Sequence, residues 1–565
     1  MSFPDPDAQN ADVTIPKKLE PWLDALPRAH IQESARQVGD LLATLNRQTL
    51  KPGKRLDTLV QLEPITHYLA NEVSSRLTGR SLPLSKSENL LSQTLDRVIT
   101  ELAVGYTLAL EDLLAPTRFH PRRDTVAKAV FRALFWLGTR QRARLALYQP
   151  APEKLWRNMH LLYRYAADNH LTGMAFGKYP ESRRSEFQTI GSLYKQSVLL
   201  AAINCHQFSQ PEIEQIFEVL ELWEPYCHLI PPSLAAELPS RTFVIDLERD
   251  SPPQARDRFG DGIAESGNTA ILVFDTTELV NAIQSELAAM NGSSQGPAAL
   301  TSGLPLATLQ RILTTLTGMK RHFPRHRRYR RITATIGLTE TFMRLSQSGN
   351  IHRPTASKPV VQKAVFETVS ADDDVIPGSE LDFDWDFDSF LTQRRREPMP
   401  VTNETGGSQE SADAAQSFYI TNESAGGCCM ICRPGQHATT KVGDIVCIHG
   451  DAGRNHNHTL CLIRWIRNDG AMVAMGCEII GPHAIPIQAS PIQNTAVAAS
   501  TLECILIPAV KELKKPALLV TPPGIQRGDI IELEGRQLAG IVEITNIPET
   551  TAVCHLCRFR IVEKR

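Results

Sequence analysis

The residues of this chain whose types and spacing suit specific chemistry fall in two short segments. The first is a basic run, Lys320-Arg-His-Phe-Pro-Arg-His-Arg-Arg-Tyr-Arg-Arg331, followed at once by Ile332, Ala334, Ile336 and Leu338 in alternation. A guanidinium fork pairs bidentately with a phosphate, matches the O6 and N7 edge of guanine, and stacks on a purine face. Two arginines four apart on an extended segment, Arg327 and Arg331, would grip one nucleotide from two sides, with Arg328 as a neighbour that helps. Arg321 and Arg325 repeat the spacing but have no strand directly after them, so they are the second choice. The second segment is Asn422-Glu-Ser-Ala-Gly-Gly427, preceded by Phe418 and Ile420 on an expected strand. Asn422 and Ser424 offer short, orientable hydrogen-bonding groups for a base edge. Gly427 would let the backbone turn or a planar ring approach closely.

The elements that must position these segments follow from hydrophobic periodicity. Apolar residues recur at helical spacing through the first half of the chain: Ile31, Val38, Leu41, Leu42 and Leu45, then Leu59, Leu62, Ile65, Leu69, Val73 and Leu77. Ser85 and Glu88 form a capping-box pattern that predicts a helix carrying Leu91, Leu95, Val98 and Leu102 on its buried face. Further helices are predicted over 124–148, 152–169, 186–205 and 211–227; whether they form a bundle or an irregular array is open. Near Pro231 and Pro232 the character changes, and 242–247 and 270–274 read as short buried strands. Beyond the basic run, short alternating strands broken by Gly443-Asp444, Asp469-Gly470 and Gly528-Asp529 indicate one or two barrels. The predicted class is therefore a multidomain α plus β protein with an all-α N-terminal half, a small α/β connector and C-terminal antiparallel β-barrels. The expected divisions are a disordered tail at 1–27, a helical domain at 28–230, the connector at 231–319, a barrel at 320–490 with a disordered insertion at 346–416, and a second β-rich module at 491–565.

Composition narrows the function classes. A net charge of −2 over 565 residues excludes coating of a polyanion by the whole surface, so any nucleotide site is local. The sequence contains no apolar run of the ~20 residues that span a bilayer, and its acidic N-terminus lacks an apolar targeting core. A cytoplasmic protein is expected. Eleven cysteines are too sparse, and odd in number, for a disulfide scaffold, so reduced thiols are expected.

Taken together, the two segments resemble the PilZ family, whose pattern is RxxxR before the first barrel strand and [D/N]xSxxG on the next. Arg327 to Arg331 and Asn422 to Gly427 match it residue by residue. The segments 442–447, 462–467 and 475–480 look like later strands of that barrel, and the resemblance runs from about Arg325 to Ile485. The two motifs here are separated by residues 332–421, much farther apart than is usual in the family. The resemblance implies a receptor for the bacterial second messenger cyclic di-GMP: the two motif arginines hold phosphates and guanines, Asn422 and Ser424 contact guanine, and binding changes how the barrel packs on its neighbours. It implies no enzyme, no cofactor beyond the ligand, and an unidentified protein partner reached through the helical half. The rival is a PilZ-fold scaffold that no longer binds nucleotide. Nucleic-acid binding by the arginine run, with Phe323 and Tyr329 as stacking groups, is a third and less favoured option.

Other candidates are weaker. The pairs Cys429/Cys432 and Cys554/Cys557 have the spacing of zinc knuckles, but they fall in strand-like sequence far apart, where burial as small hydrophobes is the better reading. His449, His456 and His458 flank a polar turn with no third ligand at a recognised spacing, so no metal is expected. The alternating acidic and aromatic segment 382–388 reads as a recognition peptide, as a competitor for the arginine site, or as plain linker. No Walker loop, HExxH, GxSxG or distinctive carboxylate pair points to catalysis.

Overall fold

The computed structural model describes residues 19–80, 82–116, 121–177, 187–234, 242–256, 270–291, 300, 303–318, 326–348, 416–432, 440–449, 458–470, 472–493, 501–509, 516–535 and 539–564. The second RxxxR pair at 321–325, most of the expected insertion with its acidic and aromatic segment, and His456 lie outside these residues. The chain divides into two compact units, Met1–Gly318 with Arg467–Gly470, and Met319–Ile466 with Ala471–Arg565.

The first unit opens with α1 (Leu19–Asp24), so the expected disordered tail contains a short helix. It continues through α2 (Ile31–Arg47), α3 (Pro52–Leu77), α4 (Lys86–Leu114), α5 (Arg123–Leu145), α6 (Leu155–Asp168), α7 (Ile190–Ile203) and α8 (Gln210–Trp223). The predicted faces of α2 and α3 are buried, and α5 is apolar on nearly every side, with Phe131, Leu134, Phe135 and Trp136 in the core. Ser85 caps α4 through the expected reciprocal bonds with Glu88, and Ser209 with Glu212 does the same for α8. Three boundaries differ from the periodicity. The seventh helix starts at Ile190 because Phe187–Thr189 is β2, paired with β1 (Ala175–Gly177), and Thr189 caps the helix. The fifth ends before Tyr148, whose φ of 56° is left-handed and stops the helix. The eighth ends at Trp223 and passes into a short tight turn over Glu224–Tyr226.

Glu63 of α3 is the centre of a buried polar group. Its Oε1 accepts from Tyr106 Oη at 2.6 Å and from Trp136 Nε1 at 3.2 Å, and its Oε2 pairs with Arg132. A carboxylate among core helices is tolerated only with such partners. After α8 come β3 (His228–Ile230), β4 (Phe243–Asp246), β5 (Gln254–Ala255) and β6 (Ile271–Asp275), forming an antiparallel sheet in the order β3-β6-β4-β5. Helices α9 (Thr277–Asn291) and α10 (Leu306–Thr317) complete this connector.

The second unit contains two closed six-stranded antiparallel barrels. The first is built from β7 (His326–Ile336), β8 (Gln416–Glu423), β9 (Gly427–Cys432), β10 (Ile445–His449), β11 (Thr459–Asn468) and β12 (Val473–Pro482), in the closed order β10-β11-β12-β9-β8-β7. Helix α11 (Leu338–Ser348) follows β7 directly, so the expected insertion begins with ordered helix. The second comprises β13 (Ile485–Gln493), β14 (Leu502–Ile507), β15 (Leu518–Thr521), β16 (Ile530–Glu534), β17 (Gly540–Thr550) and β18 (His555–Lys564). Only His483 and Ala484 separate β12 from β13, so the division expected at 490 falls inside a strand of the second barrel. Gly481-Pro482-His483 is the turn signal at that junction, with His483 in the left-handed region at φ 60°, and a boundary drawn from strand periodicity passes over it.

The barrels share a core. Leu345 of α11, Ile445, Cys447, Leu460 and Leu462 of the first barrel, and Ile505, Ile507, Val520 and Leu556 of the second pack in one cluster. At its edge the Arg464 guanidinium, one-tenth exposed, pairs with Glu478 of β12 and with Glu549 of β17, the Nη2 to Oε2 distance being 2.7 Å. All eleven cysteines are buried and unpaired with one another by disulfides. Cys429 and Cys432 lie in the first barrel, whereas Cys554 and Cys557 lie in different clusters of the second half.

Candidate nucleotide site

The two motifs meet on adjacent strands. Strand β7 pairs antiparallel with β8, placing Arg327 opposite Asn422, Arg331 opposite Tyr419 and Ile332 opposite Phe418. Ile332 and Phe418 turn into the barrel and are nearly fully buried, which fixes the inside and outside faces of both strands. The register shifts between Arg327 and Arg330, where two residues of β7 face only Thr421 of β8. Such a bulge sharpens the local twist and redirects the side chains around it. The same corner carries a second shift between β8 and β9, between Ile420 and Asn422.

Asn422 occupies this corner. Its side chain is 2% exposed, and neither Oδ1 nor Nδ2 has a hydrogen-bond partner within the protein. A buried amide in that condition is costly, on the order of 1–3 kcal/mol per unsatisfied group, so folding does not account for it. Ser424 is differently engaged: its Oγ lies 3.2 Å from both the N–H and the carbonyl oxygen of Gly427, tying the turn between β8 and β9. Gly427 is required by the barrel itself, since a Cβ there would stand 2.3 Å from the carbonyl oxygen of Cys477 on β12. Both residues thus build the turn that holds Asn422 in place.

On the outer face Arg331 is exposed and donates from Nη2 to Ser417 Oγ at 3.1 Å. Tyr329 and Tyr419 stack beside it with ring centroids 5.2 Å apart and planes 16° from parallel. Arg330 approaches Glu423 at 3.8 Å, and Glu423 is the sole carboxylate in β8, against Arg327, Arg328, Arg330 and Arg331 in β7. The local field is therefore positive in a chain that is nearly neutral overall. The backbones of Arg327 and Arg328 belong to β7; their side chains fall outside what the structure describes. The motif reading passes over Ser417 and the Tyr419 half of the stacked pair. Their one sequence signal is position: with Arg331 opposite Tyr419 and Thr333 opposite Ser417, both stand on the strand facing the motif arginines.

A closed antiparallel barrel whose first strand is led by RxxxR and whose second ends in NxSxxG is the pattern of a PilZ domain, and the chain carries such a domain. Residues 242–486 match a family model described as the middle PilZ domain of the cyclic-di-GMP receptor FimW, and residues 17–233 match the N-terminal domain of the same receptor. The chain is similar to the cyclic-di-GMP receptor FimW of Pseudomonas aeruginosa, with 26% identity over 547 residues, covering 92% of this chain and 86% of the relative. No solved structure matches.

Proposed function

We propose that the chain is a cyclic di-GMP receptor in which Arg327 and Arg331 take the phosphates and guanine edges and Asn422 completes the recognition of a guanine. The observation that carries this reading is the buried, unsatisfied amide of Asn422 directly across the ladder from Arg327. A guanine edge presents both donors and acceptors, which is what an amide with two unpaired polar atoms requires. The exposed Tyr329 ring, stacked on Tyr419, adds an aromatic face beside the arginines for a purine.

Because Asn422 is nearly inaccessible, ligand reaches it only by displacing what lies over the β7–β8 corner. Binding is thereby coupled to a local rearrangement, and a population shift of that segment is the signal passed on. The protein acts as a cytoplasmic binding and regulatory protein without catalysis, and its helical unit recruits a protein partner. The family matches over both the helical unit and the PilZ domain support treating the two as one receptor.

The test is calorimetric titration of the full chain with cyclic di-GMP, beside GTP and cyclic di-AMP, and with Arg327→Ala and Arg331→Ala. Selective binding near micromolar, ~8 kcal/mol of binding free energy, that both variants lose establishes the receptor. Failure of the wild-type chain to bind cyclic di-GMP leaves the PilZ-fold scaffold instead.

A further inference from the structure

Among the described residues, one group of three histidine, cysteine or carboxylate side chains brings its ligand atoms within 4.8 Å of one another: Cys447, His449 and His458. The hairpin of β10 and β11 creates the arrangement. Ile448 pairs with Thr459, so His449 and His458 are the next facing positions where the hairpin opens toward residues 450–457. Cys447, two residues before His449, projects from the same face of β10. The Nδ1 atoms of the two imidazoles lie 3.1 Å apart, with the rings at 84°.

We propose that Cys447, His449 and His458 form a divalent-cation site of zinc type, with one sulfur and two nitrogen ligands and a fourth position open to solvent. Tetrahedral bonds of ~2.1 Å to nitrogen and ~2.3 Å to sulfur put the two nitrogens about 3.4 Å apart, close to the 3.1 Å present, and sulfur about 3.6 Å from each, inside the 4.8 Å within which all three ligand atoms lie. The set of one thiolate and two imidazoles selects zinc-like ions over magnesium or calcium, which require oxygen. His449 is also held from behind. Its Nε2 lies 2.6 Å from Thr335 Oγ1, a hydroxyl only 1% exposed on the neighbouring strand β7, leaving Nδ1 aimed at the cluster. Metal-ligating histidines are characteristically oriented this way through their second nitrogen.

The site joins a buried end to an accessible one. Cys447 is fully buried in the core shared by the two barrels, whereas both histidines are half-buried at the hairpin's open end. An ion enters from the histidine side and displaces the thiol proton as it binds. Once bound, it clips the two ends of the 450–457 connection to the inter-barrel core.

Full-length protein stripped with a chelator and titrated with Zn²⁺ and then Co²⁺ tests this independently of any nucleotide. The expected result is one equivalent of tight binding, a thiolate-to-cobalt charge-transfer band and a metal-dependent rise in melting temperature. His449→Ala and His458→Ala should lose stoichiometric binding, Cys447→Ser should lose the charge-transfer band, and Thr335→Val should weaken binding by about 10- to 100-fold. Cys432→Ser, a buried thiol elsewhere in the barrel, should keep all three signals. Unliganded melting curves identify any variant that fails to fold, and His458→Gln at the half-buried rim then serves in its place. Absence of stoichiometric binding by the wild-type chain, or its persistence in a folded His449→Ala/His458→Ala variant, overturns the site.

Discussion

Arg327 and Asn422 face each other across the β7–β8 ladder, although 94 residues lie between them in the chain. The pairing unites the two motifs in spite of their unusual separation, because β7 and β8 are adjacent strands of one closed barrel.

Asn422 makes stability and binding separable. Replacing it with alanine removes a buried amide whose polar atoms are unsatisfied, so the ligand-free barrel should melt at the same temperature or higher, while cyclic di-GMP affinity falls at least tenfold, ~1.4 kcal/mol or more. Thermal denaturation beside calorimetry reads both. A clear drop in melting temperature would mean that the amide is satisfied within the fold.

Gly427 and Gly476 should resist even alanine. A Cβ at Gly427 meets a backbone oxygen at 2.3 Å, and one at Gly476 meets Trp465 Nε1 at 1.9 Å. Backbone cannot swing aside as a flexible side chain can, so Gly427→Ala should cost ~1–3 kcal/mol in urea denaturation, and Gly476→Ala at least as much through displacement of the indole. A loss below about 0.5 kcal/mol at Gly427 would show that β9 and β12 separate easily there.

Glu63→Ala should destabilise the helical unit by ~3–5 kcal/mol, because it removes the carboxylate that pairs with Arg132, whose side chain is 11% exposed. Glu63→Gln, which keeps an acceptor for Tyr106 and Trp136, should cost less. Equal losses in the two variants would show that the charge paired with Arg132 outweighs the hydrogen bonds to Tyr106 and Trp136.

Asp444 gives a pH signature of definite sign. Burial pushes its carboxyl up to about 6, against the bonding from the Lys441 N–H at 2.9 Å. The folded state then binds this proton more tightly than the unfolded chain, where the pKa is about 3.9. The group's contribution favours folding below about pH 4 and is lost as pH rises through about 6, a change on the order of 3 kcal/mol. Asp444→Asn should flatten that part of the stability profile between pH 4 and 7. An unaltered profile would mean that water reaches the carboxylate.

Much of this was legible in the chain because it depends on neighbours. The buried faces of α2 and α3 follow from residues three and four apart, the cap at Ser85 from a residue three positions on, and the alternation of β7 from a period of two. The residue types at Arg327, Arg331 and Asn422 likewise announced guanidinium and amide chemistry before any geometry was known.

Tertiary structure alone decided what depends on distant partners. The bulge that sets Arg327 against Asn422, the turn-building use of Ser424 and Gly427, and the passage of β13 into a second barrel all arise from hydrogen bonds and close approaches between strands remote in sequence. The assembly of Cys447 with His449 and His458 is of the same kind: no spacing rule foretells it, because the register of β10 on β11 brings the third ligand in. Sequence fixes which groups a strand carries and which face they share, and the long-range ladder then determines what those groups meet.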